Sequence, residues 1–279
     1  MIDFEGFGFS GGKRISGLTI EAMHRQVTSL LTQVRSDLPL FLKGHSMGCM
    51  VLNTYLALNP EIAQRLAGVI WSAPFWGIPD FVNVDFFKKQ IIKFLALHLE
   101  EFTLASGMPL HKVTRNKQFM RHAITQTKAN PLSSLGLQAS FLRAIDRIHA
   151  NAKNVTYPYI LVLGDKDVIV NNNMARAWHA KTASKVKQIR LMAGAYHELS
   201  KEPNNHVLFE ATLKFMGERL VGAAPEKNLP QPFGDFKHQL VKYYEQRPIL
   251  KRRKFWIILT LVVGAFVCLI KLAKRLRSK

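Results

Sequence analysis

The chain has 279 residues, 48% of them hydrophobic and 21% charged. This excludes wholesale disorder and leaves room for one sizeable core plus an appendage. Its 39 Lys and Arg against 19 Asp and Glu give a formal charge of +20, which suits an anionic membrane surface. Nucleic acid is not an expected partner, because zinc-ligand spacing, RNP-like aromatics and a basic heptad region are all missing. Two cysteines, Cys49 and Cys268, offer no disulfide framework and point to a reducing compartment. The start, Met1-Ile2-Asp3-Phe4-Glu5, lacks the basic-then-apolar order of a signal peptide.

The first loop contains Gly6, Gly8 and Gly11 in Gly-x-Gly-x-x-Gly spacing. A dinucleotide site is rejected there: no strand precedes the loop, and no acidic residue follows at the ribose-binding distance. Residues 38–43 form a short apolar run that ends on Gly44, and 50–58 read as a helix stopped by Asn59-Pro60. A second apolar strand covers 66–72 and closes at Ala73-Pro74. Strands three and four cover 157–163 and 186–192, followed by Gly164-Asp165 and by Gly194. A last helix covers 207–220. Apolar strands alternating with helices predict an α/β body, 1–220, with a mostly parallel sheet and helices on both faces. Between strands two and three lies an insertion, about 75–155, rich in helical patterning.

Residues 221–250 hold Pro225, Pro230, Pro232 and Pro248 among polar residues and read as a linker. Residues 251–279 read as a membrane tail. Its uncharged run, 255–270, is bracketed by Lys251, Arg252, Arg253 and Lys254 before and by Lys271, Lys274, Arg275, Arg277 and Lys279 after. Sixteen helical residues reach roughly 24 Å, a little short of a bilayer core. Snorkelling Lys254 and Lys271 extend that reach, and Trp256 sits where an interface aromatic belongs. The expectation is a single-pass C-terminal transmembrane helix at about 255–272, with the body facing the cytosol. The organelle stays open between mitochondrial outer, peroxisomal and endoplasmic reticulum membranes.

The chemistry centres on Gly44-His45-Ser46-Met47-Gly48. A serine hydroxyl is a poor nucleophile without a base, an orienting group for that base, and donors for the oxyanion. A strand–Gly-x-Ser-x-Gly–helix turn projects the Ser46 hydroxyl above the sheet. Gly44 and Gly48 are expected to permit the sharp turn, and the Met47 amide at the helix start to serve the oxyanion. In this architecture an acid and then a histidine follow the serine. Asp167 lies on the loop after the third strand and is preferred to Asp165 for its placement there. His197 lies on the loop after the fourth, in Gly194-Ala195-Tyr196-His197-Glu198. No cofactor and no metal is expected.

These motifs resemble the monoacylglycerol lipase and lysophospholipase branch of the α/β-hydrolase superfamily, of the serine aminopeptidase S33 type. The landmarks fall in order along the chain. Asp3-Phe4-Glu5-Gly6-Phe7-Gly8-Phe9-Ser10 is similar to the branch's Asp-x-x-Gly-x-Gly-x-Ser loop. Leu42-Lys43-Gly44-His45-Ser46-Met47-Gly48 is similar to its elbow, with Cys49 where a glycine is usual. Thr114-Arg115-Asn116 and Asn130-Pro131-Leu132 are similar to its cap landmarks. Gly164-Asp165-Lys166-Asp167 and Gly194-Ala195-Tyr196-His197 are similar to its acid and histidine loops. The likeness spans roughly residues 3–220. It implies an α/β-hydrolase fold with a helical cap insertion, and cleavage of lipid carboxylic esters of monoacylglycerol or lysophospholipid type. The alternatives are a non-lipid esterase or peptidase on the same fold, and an inactive scaffold.

Two further expectations follow. The family's first strands, which carry a second oxyanion donor, have no counterpart before Asp3, so a fragment or a misassigned start is expected. And 86–153 hold eleven Lys and Arg against three Asp and Glu, interleaved with Phe86, Phe87, Ile91, Ile92, Phe94, Leu95, Leu97 and Leu99. Such a cap can rest on an anionic bilayer and admit an acyl chain, or pack on its own domain with a solvated basic face.

Overall fold

Four strands build the central sheet: β1 (Leu40–His45), β2 (Leu66–Ser72), β5 (Tyr159–Gly164) and β6 (Lys187–Met192). They come from a computed structural model that describes residues 3–12, 18–80, 82, 85–105, 107–125 and 132–220. Their order is β1-β2-β5-β6, and every pair is parallel. β2 and β5 lie between neighbours and are apolar on successive residues, as strands covered on both faces must be. Neighbouring residues on a strand point to opposite faces. Ile70 therefore joins Ile160, Val162, Met192, Leu208 and Phe215 under helix α8 (His206–Leu220). Trp71 points the other way, its ring 6.4 Å from that of Trp178 on α7 (Asn172–Lys181) and 5.3 Å from that of Trp76. Burying a side chain of Phe215's size stabilises the fold by about 1.5–3 kcal/mol.

The parallel sheet places the C-terminal ends of all four strands on one side. The loops after β1, β5 and β6 open there, where open α/β sheets hold their sites. Helix α2 (Met47–Leu58) starts directly off β1 and stops at Asn59, with α3 (Pro60–Gln64) following. Helix α1 (Ile20–Leu31) is not among the sequence expectations. Its N-cap Thr19 accepts the Ala22 amide, and Ile20, Met23, His24, Val27 and Leu31 make its buried stripe. The buried face includes a histidine, which blurs its apolar period. Burial pulls His24 down to about 4, so it sits neutral against Thr54.

The inserted segment contains α4 (Phe86–Ala96), α5 (Lys117–Thr125) and α6 (Leu135–Asn151). It also holds an unforeseen antiparallel pair, β3 (Thr103–Ala105) with β4 (Leu132–Ser134). Helix α6 belongs to the body as much as to the insertion. It packs against α1 and α2 as well as α4, and its Ser140 hydroxyl accepts the Ile20 amide at 3.2 Å. Periodicity reveals a helix but not what covers it, so α6 read as part of the insertion. Helix α4 has no buried residue; Phe87 is 76% and Leu97 74% exposed.

Among the described residues no helix is long and apolar enough to cross a membrane. The expected linker 221–250, the tail 251–279 with its span at about 255–272, Cys268, and the landmark residues Asn130 and Pro131 lie outside the described residues.

Candidate active site

Ser46 occupies the single residue between β1 and α2, at φ 51 and ψ −120. Positive φ is costly for a residue with a Cβ, and here the surroundings hold it. The Ser46 amide donates to the Ser72 carbonyl at 3.1 Å, and its carbonyl accepts from Cys49 and Phe75. The two elbow glycines differ. A Cβ on Gly44 would stand 2.8 Å from the Cys49 backbone, so strand and helix approach closely only because that residue is glycine. A Cβ on Gly48 would meet nothing within 4 Å, so the turn itself makes no steric demand there. Gly44→Ala should accordingly destabilise the chain by about 1–3 kcal/mol, while Gly48→Ala, inside α2, should be neutral or stabilise by up to about 1 kcal/mol. Thermal melts of the two variants check this; equal losses would place the constraint elsewhere.

The loop after β5 presents Asp167 and the loop after β6 presents His197. A Cβ on Gly164 would lie 2.4 Å from the Tyr196 carbonyl oxygen, so the close approach of these loops requires glycine at that point. His197 Nδ1–H donates to Asp167 Oδ2 at 2.8 Å, and the Ser46 hydroxyl donates to His197 Nε2 at 2.9 Å. The other Asp167 oxygen, Oδ1, accepts the amides of Ile169 at 2.8 Å and Val170 at 3.2 Å. This clamp fixes the carboxylate plane. The Asp167 side chain is fully buried and that of His197 nearly so, whereas Asp165 is exposed. The structure thus brings Ser46, His197 and Asp167 into one hydrogen-bonded line and leaves Asp165 outside it. Met47 is the first residue of α2, and its amide has no partner within the helix.

Cys49 is buried beneath the turn, its thiol donating to the Ser72 carbonyl at 3.5 Å. Burial pushes that thiol well above its ordinary value, so it is no competing nucleophile. Among the described residues no cluster of three or more His, Cys, Asp or Glu is placed to hold a metal ion.

Two features around the line escape sequence reasoning. One is a clasp between the insertion and the histidine loop. Glu202, buried, accepts the Thr114 hydroxyl and the Arg115 amide on Oε1, both at 2.7 Å, and Arg115 Nε on Oε2 at 2.6 Å. Arg115 also donates to Asn204 at 2.8 Å. The family landmark Thr114-Arg115-Asn116 is therefore the insertion's attachment to the loop that carries His197. The other feature is the pair His45–Glu198, whose nitrogen and oxygen are 3.2 Å apart. The only sequence signal for it is that each residue neighbours a member of the line.

A family model for serine aminopeptidase, S33, a hydrolase family, matches residues 1–204 of this sequence. The chain belongs to that family. The relatives to which it is similar include a phospholipase and monoacylglycerol lipases. It is 28% identical over 182 residues to phospholipase YtpA of Bacillus subtilis, covering 64% of this chain and 68% of that protein. It is 26% identical over 222 residues to a monoacylglycerol lipase of Mycolicibacterium smegmatis, covering 75% of this chain and 74% of that one. Among solved structures, the monoacylglycerol lipase of Paleococcus ferrophilus superposes with a TM-score of 0.70 at 23% identity, covering 78% of this chain and 82% of that one. That likeness establishes the α/β-hydrolase fold for this S33 family member.

Proposed function

We propose that this S33 family member hydrolyses lipid carboxylic esters, of monoacylglycerol or lysophospholipid type, through an acyl-enzyme on Ser46. The observation that carries the proposal is the line of two short hydrogen bonds, Ser46 to His197 at 2.9 Å and His197 to Asp167 at 2.8 Å. Ser46 Oγ attacks the acyl carbonyl as its proton passes to His197 Nε2. The carbonyl oxygen takes the negative charge and is met by the Met47 amide. Asp167 holds the imidazole tautomer that leaves Nε2 free to accept, and stabilises the imidazolium. When the tetrahedral intermediate collapses, the bond to the alcohol breaks and His197 returns the proton to the leaving oxygen. Water then attacks the acyl-enzyme with His197 as base, freeing the acid and Ser46.

The lipid class is supported by two things. The relatives include a phospholipase and monoacylglycerol lipases. The insertion also exposes Phe86, Phe87, Ile91 and Phe94 on one helix and Leu97 at its C-cap, with Lys88, Lys89 and Lys93 among them. An apolar face with cationic edges suits an anionic membrane surface, from which an acyl chain can pass to the site. A panel of acyl esters graded by chain length tests the substrate class. Long-chain monoacylglycerol or lysophospholipid should be favoured over short water-soluble esters by about tenfold or more, since each buried methylene contributes about 0.8 kcal/mol. Equal turnover of acetyl and butyryl esters would favour a general esterase or peptidase instead.

We further propose that 251–279 anchor the chain as a single-pass tail, with the body in the cytosol at a mitochondrial outer, peroxisomal or endoplasmic reticulum membrane. The uncharged run between basic flanks supports this. Deleting 251–279 should move the chain from the membrane to the soluble fraction. Retention on membranes would transfer the attachment to another surface, such as the exposed face of α4.

A further inference from the structure

The steps above leave one half-buried hydrogen-bonded pair unused, although it touches both halves of the site. His45 ends β1, immediately before Ser46. Glu198 follows His197 in the chain. His45 Nε2–H donates to Glu198 Oε2 at 3.2 Å, and the two side chains are 30% and 23% exposed. His45 Nδ1 lies 3.5 Å from the Ser72 hydroxyl at the end of β2. The other Glu198 oxygen, Oε1, accepts the Ser200 hydroxyl at 2.7 Å. The Glu198 amide donates to the Val113 carbonyl at 2.8 Å. Glu198 is thus held by the elbow strand, by its own loop and by the inserted segment at once.

Burial alone would raise the Glu198 carboxyl. The hydrogen bond and charge of His45 outweigh it, with help from Ser200 and from His197, and bring it down to about 2. Glu198 is therefore an anion throughout the neutral range. The titratable groups facing His197 are Asp167 from the loop after β5, His45 from the end of β1, and Glu198 beside it in the chain. The rings of His45 and His197 lie 4.9 Å apart, centre to centre. In the acylation step His197 takes up the proton that Ser46 gives up. A fixed negative charge close to that ring therefore acts on the transition state more than on the resting site, which is the condition for accelerating a reaction.

We propose that Glu198, held by His45, is a positioning residue for proton transfer from Ser46 to His197: it ties the histidine loop to the nucleophile's turn, and its charge stabilises the imidazolium. The proposal rests on the acyl-enzyme reading of Ser46. Glu198 exchanges no proton. The proton leaves Ser46 Oγ for His197 Nε2 as the bond from Oγ to the acyl carbon forms, and later goes to the leaving alcohol.

Glu198→Gln separates charge from tether, because the amide oxygen still accepts from His45 or Ser200. The test is the pH–rate profile of the full chain on a p-nitrophenyl acyl ester, with melting temperatures recorded alongside. Glu198→Gln should lower kcat about threefold, leave KM within about twofold, and move the acidic limb of kcat/KM to lower pH by about half a unit, as expected for one lost charge near the base. Glu198→Asp should restore the limb. His45→Gln, which keeps a donor and leaves the Glu198 charge in place, should lower kcat without moving the limb down. The proposal is overturned if Glu198→Gln keeps the wild-type kcat, or if it loses activity with an unmoved limb, since the residue would then be only a tether. If His45→Gln moves the limb down as Glu198→Gln does, the assignment of the charge effect to Glu198 also fails. Wild-type chain that turns over no ester, or no more than Ser46→Ala, would remove the acyl-enzyme reading itself and this proposal with it.

Discussion

Replacing Ser46 by alanine should lower ester hydrolysis by about 10⁴-fold or more, as removal of the attacking atom does in serine hydrolases. The fold should survive. The positive φ at this turn is held by backbone hydrogen bonds to Ser72, Cys49 and Phe75, none of which uses the hydroxyl. The loss should be specific, because the neighbouring thiol, Cys49, is buried and directed at a backbone carbonyl. Initial rates on a p-nitrophenyl acyl ester, with a melting curve of each protein, make the comparison. A folded Ser46→Ala variant that retained a tenth of the wild-type rate would mean that the hydrolysis proceeds elsewhere, and that the chain is a scaffold with hydrolase geometry.

Asp167→Asn should reduce kcat by about 10³–10⁴-fold with KM little changed, the pattern of an interaction made chiefly in the transition state. Both carboxylate oxygens are committed, Oδ2 to His197 and Oδ1 to the amides of Ile169 and Val170. An asparagine must either offer its NH₂ to the His197 ring, which forces the tautomer whose Nε2 carries the proton, or turn it towards two amide donors. Both arrangements spoil the base. Asp165→Asn is the control. Asp165 is exposed, and its backbone amide donates to the Met192 carbonyl at the sheet end. It should stay within about twofold of wild type, the range of a surface substitution. Equal losses at the two positions would reassign the acid.

β2 and β5 were legible as short apolar runs closed by a proline or glycine signal, while β6, with Lys187, Gln188 and Arg190 in it, was legible chiefly from Gly194 after it. β2, apolar on both faces, was legible to the residue. The elbow and the two loops could be read because they obey a fixed order on strand ends. The family resemblance, drawn from motifs that fall in order along the chain, agrees with the S33 match over residues 1–204. Helix α1 escaped because a neutral buried histidine stands in its apolar stripe. The β3–β4 pair escaped because three-residue strands carry too few positions for a period. Helix α6 shows a further limit: its pattern marked a helix, but only its packing on α1 and α2 reveals that it belongs to the body as well as to the insertion. The clasp from Glu202 to Thr114 and Arg115, and the pair His45–Glu198, join residues far apart in the chain. No spacing rule encodes such contacts; they exist only once the insertion and the histidine loop have docked. Gly48 gives the opposite lesson, since the motif names it but the space beside it is open.

The claim on which the rest depends is that Ser46 becomes acylated. It is tested most directly by incubating the full chain with a fluorophosphonate that carries a long alkyl group, then mapping the adduct by peptide mass spectrometry. A covalent adduct on Ser46 of the wild-type chain, absent from Ser46→Ala and slowed in Asp167→Asn, is the expected result. A folded wild-type chain that gains no adduct, or gains it at another residue, would contradict it.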